Sequence, residues 1–505
     1  MRLLLLVALV VVTNALAAGR TLYYKAQTTF VASSGNTSPY YIGSNNHGMN
    51  TQSHEAYMRL SAAMPLDTAS RFSFGAGVDL VGGYAGSAEY LRHNGNEIAV
   101  HNAKINQFRI HQLFADVKYR SVFLTIGAKE HESLIVNHSL SSGDLTFSGN
   151  INPMPEARMG LIDFQPLPFT RGNVFINGEY SIAYACDNGI QSRQFNRISG
   201  GYNKSYFYNY KRCYLRSRPD KPLCLTIGMQ AVMVFGNTTA NYSRGKWTGD
   251  FKNRVTFKSF VHTLVPGAGG SSAADLLFLE GNSLGTWDIA ANYRFKNGSH
   301  LKAYYESPWE DGSGIGKMNG FDGLWGIEYS SGRKSLVNGV VIEYLDTRNQ
   351  SGTITFQFKD YSGSISDRDK IPNGASGCDN YYNHEGQGYQ YRCMSIGTPM
   401  LKSALYNTNG TPAFRDNRIQ GVHVGVSGNL SGAVSYRLLG NFRRALGTYN
   451  APRRHALRSY SAFAEATYRT PLAGLVSKCQ LAADRGSLYG KNFGAMFSIA
   501  YQGNL

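Results

Sequence analysis

From Arg71 onward the chain places Phe72, Phe74, Ala76, Val78 and Leu80 on one parity and Ser73, Gly75, Gly77 and Asp79 on the other. A period of two sustained in this way predicts a β-strand with one apolar and one polar face. The pattern returns at Leu113, Ala115, Val117 and Tyr119, and again at Val174, Ile176, Gly178, Tyr180, Ile182 and Tyr184. Trp287, Ile289, Ala291, Tyr293 and Phe295 oppose Asp288, Asn292 and Arg294; Val434, Tyr436, Leu438, Gly440 and Phe442 oppose Ser435, Arg437, Asn441 and Arg443. A last segment alternates through Phe493, Ala495, Phe497, Ile499 and Tyr501, and it ends close to Leu505 rather than on a terminal aromatic.

A soluble sandwich also alternates, so period alone does not separate a core face from a lipid face. Three features favour lipid. The segments reach about 9–11 residues, the length a tilted strand needs to cross a bilayer. Many carry Tyr or Phe near an end, as interfacial girdles require. Charges such as Asp288, Arg294 and Arg437 stand within segments on the face opposite the apolar one, where a wet lumen tolerates them. The expected fold is all-β: a transmembrane outer-membrane β-barrel of about 16–18 antiparallel strands with a few short helices. One such helix is expected after Ser272, with Asp275 closing a capping box, Leu276, Leu277 and Leu279 following, and a stop at Gly281.

Arg2, the apolar run Leu3 to Val12 and the small residues Ala15 and Ala17 on either side of Leu16 have the order of a cleavable export signal. Residues 1–17 are read as that signal and 18–505 as one barrel domain with long loops. The apolar run is too short for a spanning helix. Composition agrees with the barrel, since 56 Gly, 33 Tyr and 26 Phe are dispersed against only 15 Pro.

The net charge of +17 is spread without a basic run, which speaks against nucleic acid as a partner. The anions met after export are lipopolysaccharide phosphates and acidic polysaccharides, although many cations in a barrel simply line a lumen or rim. Six cysteines in an exported chain suggest disulfides. Cys213 and Cys224 flank a turn at Ser217 to Asp220, and Cys378 and Cys393 bracket a polar loop, so both pairs are candidates for local bonds. Cys186 and Cys479 are left without an assignable partner.

Little here points to catalysis. His138, Ser142 and Asp144 contain the residue types of a hydrolase triad, but Ser142-Gly143-Asp144 reads first as a turn. His47, His54, His93, His101 and His111 have no metal-ligand spacing, and the glycines at 267, 269 and 270 lack the lysine of a phosphate loop. Neither an enzyme, a cofactor nor a resident metal is expected. Carbohydrate recognition wants flat apolar surface beside planar polar groups. Two connections supply that mixture: the one around Trp309, and Asp379, Asn380, Tyr381 and Tyr382 with Tyr389, Tyr391 and Arg392. The same aromatics would also serve to plug a barrel mouth or to sit in an interfacial girdle.

Several blocks then resemble one family. They include Leu124 to Glu130, Leu140 to Asp144, Pro153 to Glu156, Gly281 to Asp288, Asp311 to Gly314, Asp322 to Gly326, Asp379 to Asn383, Ser395 to Pro399, Gly447 to Asn450 and Asp484 to Gly490. With Thr21 to Lys25 as a start, they resemble the Wzi family of capsule-assembly outer-membrane proteins. The resemblance implies a monomeric barrel of about eighteen strands with helices facing the periplasm, acting as a lectin that holds capsular polysaccharide or exopolysaccharide at the surface. The six cysteines depart from that pattern. The competing expectation is a substrate-specific diffusion channel for oligosaccharides.

Overall fold

The computed structural model describes residues 21–85, 88–94, 97–103, 108–264, 283–310, 315–317, 319–350, 380–383, 388–407, 409–448 and 451–505. The alternating segments form β1 (Tyr23–Thr37), β2 (Gln52–Met64), β3 (Phe72–Ala85), β4 (Phe108–Tyr119), β5 (Val122–Ala128) and β6 (Pro155–Leu161). Next come β7 (Val174–Cys186), β8 (Gly200–Ser217), β9 (Leu223–Ser243), β10 (Ser283–Arg294), β11 (His300–Trp309) and β12 (Gly323–Ser330). The circuit is completed by β13 (Gly339–Asp346), β14 (Ile419–Asn429), β15 (Val434–Gly447), β16 (Pro452–Arg469), β17 (Leu475–Gly486) and β18 (Asn492–Asn504).

Each strand pairs antiparallel with the next, and β18 pairs back onto β1 with Phe30 opposite Phe497. The result is a closed antiparallel barrel of eighteen strands, which leaves no unpaired edge in the apolar phase. The alternation has the expected meaning. Phe30, Met58, Leu60, Ile289, Ile327, Ile342 and Ile499 point outward and are each about half exposed, a belt that only lipid can cover. Aromatics edge the belt: Phe72, Tyr119, Tyr293, Tyr468 and Tyr501 towards one end, Tyr84, Phe108, Trp325, Tyr344 and Phe493 towards the other.

Turns are short at the end that holds both chain ends, where the Leu22 N–H donates to the Leu505 carbonyl at 3.0 Å. The long connections, 38–51, 86–107, 129–154, 187–199, 244–282 and 347–418, lie at the other end. Short turns face the periplasm in barrels of this kind, so the long connections face outward. The helices α1 (Tyr40–Gly43), α2 (Ile190–Gln194) and α3 (Phe257–His262) all belong to those connections. That is the reverse of the placement the resemblance implies. The helix expected from Ser272 lies outside the described residues.

The lumen is dry rather than wet at mid-height. Asp288, read from sequence as a charge in water, is fully buried and accepts the Tyr214 hydroxyl at 2.5 Å. Arg437, nearer the short-turn end, keeps part of its side chain exposed and is bonded to Glu465 at 3.0 Å and to the Ser139 carbonyl at 2.9 Å. An apolar core fills the space, with Tyr208, Tyr210, Val232 and Leu345 of the wall packed against Ile135, Leu145, Tyr381, Tyr382, Ile396 and Phe414 of the connections.

Helix α3 takes a different course. Its Phe260 packs on the outward-facing Phe207 and Phe235, while Lys211 donates to the Thr263 carbonyl and the Tyr180 hydroxyl meets Thr263 Oγ1 at 2.5 Å. Asn209 and Lys211 are polar residues on the lipid side, and an uncovered lysine there would cost about 2–4 kcal/mol near the midplane. The segment shields them and turns Phe257, Val261 and Leu264 outward in their place.

The cysteine reading is corrected. Arg216 faces Thr226, which centres the β8–β9 turn on Lys221 rather than between Arg218 and Pro219. Cys213 therefore faces Met229, Cys224 faces Asn292, and both are free thiols. Cys393 is a buried free thiol and Cys378 lies outside the described residues. Cys186 and Cys479 are also free.

Candidate functional site

Three connections enter the barrel and are bonded to its wall. In 129–154, a turn at Ser141 and Ser142 is held by Glu343, whose carboxylate accepts the Ser141 hydroxyl and the Ser142 N–H, each at 2.6 Å. Glu306 accepts the Leu145 N–H at 2.9 Å, and Gln230 donates to Asp144 at 2.8 Å. Directly across the β13–β14 ladder from Glu343, His423 Nε2 meets the Leu140 carbonyl at 2.7 Å. In 38–51, the Tyr40 N–H donates to Asp484 at 2.8 Å, while the Arg443 guanidinium lies 3.8 Å from the centre of the Tyr40 ring and 4.5 Å from that of Tyr489. Part of 380–418 forms the third layer, where the Ser148 hydroxyl donates to the Gly397 carbonyl at 2.8 Å and the Tyr382 hydroxyl to the Leu145 carbonyl at 2.6 Å.

The consequence is visible around the whole circuit. Thr29, Asp79, His111, Thr125, Glu179, Asn209, Gln230, Thr286, Glu306, Glu343, His423, Arg443 and Asp484 come from thirteen different strands and are all buried. Twelve of these face inward; Asn209 is the outward one beneath α3. A water-filled pore would leave the inward residues exposed. The wall carboxylates are instead anchors for the plug.

Most of the aromatic residues read from sequence as polymer contacts are part of this plug. Trp309 ends β11 in the wall and is 0% exposed; Tyr381, also 0% exposed, lies in the plug with Tyr382, Tyr389 and Tyr391 buried in the same cluster. Asn380 and Arg392 are half-buried, with Asn380 Oδ1 accepting from Asn417 at 2.7 Å. Asp379 lies outside the described residues. No sugar ring can stack on the buried tyrosines while the plug is in place, so the plug role takes precedence over the contact role.

No triad is assembled from the hydrolase-like residues. The Ser142 hydroxyl has no partner, His138 lies 3.6 Å from Glu132, and Asp144 receives Ser133 at 2.6 Å together with the Thr146 and Phe147 amides of its own turn. Among the histidines, His47 and His111 come together with ring centres 6.3 Å apart, and His54 sits apart on Ser53. Asp79, His111 and Glu130 offer ligand atoms within 4.8 Å of one another. Arg59 occupies the middle of that group, bonded to Asp79 at 2.7 Å and to Glu130 at 3.0 Å. A guanidinium already supplies the positive charge a cation would bring. Burial alone would raise the Glu130 pKa, but the His111 bond and the nearby His47 and Arg59 outweigh it and hold it down at about 2.

The exposed chemistry of the outer end lies elsewhere. Beyond the barrel, the upper parts of β8 and β9 continue as an arm, to which Lys246–Lys252 adds a third strand. Its hairpin turns at Arg244 and Gly245, both with positive φ of 50° and 77°, the geometry that a two-residue type I′ turn needs and glycine supplies. Trp247 is 60% exposed and Phe251 43%, and Arg244, Lys246, Lys252 and Arg254 are exposed around them. The single acid of this hairpin, Asp250, is taken by Lys204 at 2.6 Å and by the Trp247 indole at 3.2 Å. Among the described residues these four cations form no ion pair, and flat apolar faces beside such cations are what an acidic polysaccharide recognises. Sequence reasoning passed over the arm because its cations are interleaved with aromatics and form no run.

No family model matches the chain, and no curated protein matches it. Among solved structures, the chain is similar to Wzi of Escherichia coli, an outer-membrane protein involved in group 1 capsule assembly and a carbohydrate-binding β-barrel. The TM-score is 0.51 at 13% identity, over 98% of this chain and 87% of that one. OccAB2 of Acinetobacter baumannii matches with a TM-score of 0.48 at 8% identity, over 96% and 98% of the two chains. OccK3 of Pseudomonas aeruginosa gives 0.45 at 10% identity, over 96% of each. The first likeness establishes an outer-membrane type of β-barrel.

Proposed function

We propose that this chain is a non-enzymatic outer-membrane barrel that holds acidic surface polysaccharide, capsular or exopolysaccharide, on its outer face without conducting it. The observation that carries the reading is the sealed lumen: polar wall residues around the circuit are buried under three bonded connections. A diffusion channel spends its lumen on a passage. Here the lumen is spent on fixing a platform, and the basic, aromatic arm above it is the surface left to meet a polymer. The fold likeness to a carbohydrate-binding barrel supports the same reading, as do the sequence blocks that resemble the Wzi family.

The test is direct binding. Purified full-length protein in detergent is titrated with the acidic polysaccharide of the host, beside the Trp247→Ala/Lys246→Ala/Arg244→Ala variant. The expected result is at least a tenfold weaker association for the variant, with a salt dependence that flattens as cations are removed. Equal binding by both proteins would reject the arm as the holding surface.

A further inference from the structure

Below the plug, on the side of the chain ends, the barrel keeps a cavity of about 580 Å³. Its roof is made by Tyr40, Tyr41, Ser139, Ser141 and Ser142 of the plug, and its walls by the inner faces of β1, β2 and β15 to β18. The volume lies within the range of about 300–1,000 Å³ that small-ligand sites occupy. It opens towards the short-turn end, where the inward-facing Arg469 and Gln502 are exposed.

The lining is selective. Lys25, Arg59, Arg437, Arg469 and Lys478 all face the space, and no carboxylate residue lines it. Arg59 is already paired with Asp79 and Glu130, and Arg437 and Lys478 share one carboxylate of the same inner face, Glu465, at 3.0 and 3.3 Å. Lys25 and Arg469 form no ion pair among the described residues, so the surplus positive charge points into the cavity. The other groups are amides and hydroxyls: Gln27, Gln480, Gln502, Asn45, Ser435 and Ser498.

We infer that this inner vestibule is a binding site for a carboxylate-bearing saccharide of disaccharide size that enters from the short-turn side. The cations supply the carboxylate partner, bidentately where a guanidinium is used. Amides, which donate and accept in one plane, suit vicinal hydroxyls, and the Tyr40 and Tyr41 rings close the roof with apolar surface. The site is separated from the arm by the plug and does not depend on polymer being held outside.

Isothermal titration of the full-length protein in detergent uses three probes: digalacturonic acid, a neutral disaccharide and inorganic phosphate. The expected order is digalacturonic acid at least tenfold tighter than either of the others. Lys25→Gln/Arg469→Gln weakens the acid by tenfold or more and leaves the neutral probe unchanged. Arg469→Gln alone, at the exposed rim, gives a smaller loss and guards against misfolding of the double variant. Gln502→Trp, which narrows the rim, also lowers binding, whereas the arm variant described above titrates like wild type. The inference is overturned by equal affinity for the neutral disaccharide, by phosphate binding as tightly as the acid, by wild-type affinity in the Lys25/Arg469 variant, or by loss of binding in the arm variant. A failure of polymer binding at the arm leaves this result untouched, so the two proposals fail separately.

Discussion

The Glu343 carboxylate on β13 accepts the Ser142 backbone N–H at 2.6 Å, joining wall and plug across 201 residues of sequence. The same carboxylate takes the Ser141 and Tyr304 hydroxyls, at 2.6 and 2.5 Å, so one wall residue satisfies three buried donors. Glu343→Ala leaves those donors without a partner in a space closed to water, at about 1–3 kcal/mol for each. The expected outcome is a lower thermal midpoint in detergent and intermittent current in planar bilayers, against a quiet wild type. A variant as stable and as quiet as wild type would remove Glu343 from the plug's anchorage.

Glu130 gives the pH dependence of the plug. The carboxyl has a pKa of about 2 in the folded protein against an ordinary 4.5, because its His111 bond and the adjacent His47 and Arg59 outweigh burial. A depressed carboxylate pKa stabilises the fold above the ordinary value and loses that contribution as pH falls through the folded value. The gap in thermal midpoint between wild type and Glu130→Gln is therefore expected to be full at pH 7 and to close between about pH 4.5 and 2. A gap that stays constant down to pH 2 would contradict the assignment.

The buried tyrosines of the plug report stability rather than ligand affinity. Tyr382→Phe removes one hydrogen bond, to the Leu145 carbonyl, at about 0.5–1.5 kcal/mol. Its thermal midpoint should drop while polysaccharide affinity is unchanged. Tenfold weaker binding with an unchanged melt would restore Tyr382 to the contact surface.

Helix α3 is expected to be reachable from lipid. A spin label at Val261→Cys, in a background without the native cysteines, should be relaxed by oxygen dissolved in the bilayer more than by a water-soluble nickel complex. A label at Trp247→Cys on the arm should show the opposite order. Aqueous accessibility at position 261 would mean that Lys211 is not sealed as described.

The barrel itself was legible because lipid and interior impose period two on every strand, and Phe72, Ile289 and Phe497 obey it without exception. The plug was legible only as an alternative role for the loop aromatics, and its wall anchors were not, since a carboxylate such as Glu306 or Asp288 alternates identically whether it faces water or a backbone amide. A clue lay in β8, where Tyr206, Tyr208, Tyr210 and Tyr214 share the inward parity. A wet lumen does not call for four tyrosines; a packed one does. The Cys213 and Cys224 pairing failed over a turn centre, because the five residues 218–222 move the register away from the position that Pro219 suggests. The resemblance to a carbohydrate-binding family agreed with the fold, yet the residues chosen for contact turned out to be those that close the lumen.

Single-molecule conductance in planar bilayers tests the central claim most directly. A barrel of eighteen strands whose lumen is sealed by the three connections should insert without a steady current at moderate voltage, and current should appear once Glu343 is replaced. A stable, large open-state current from the wild-type protein would contradict the account and favour a diffusion channel.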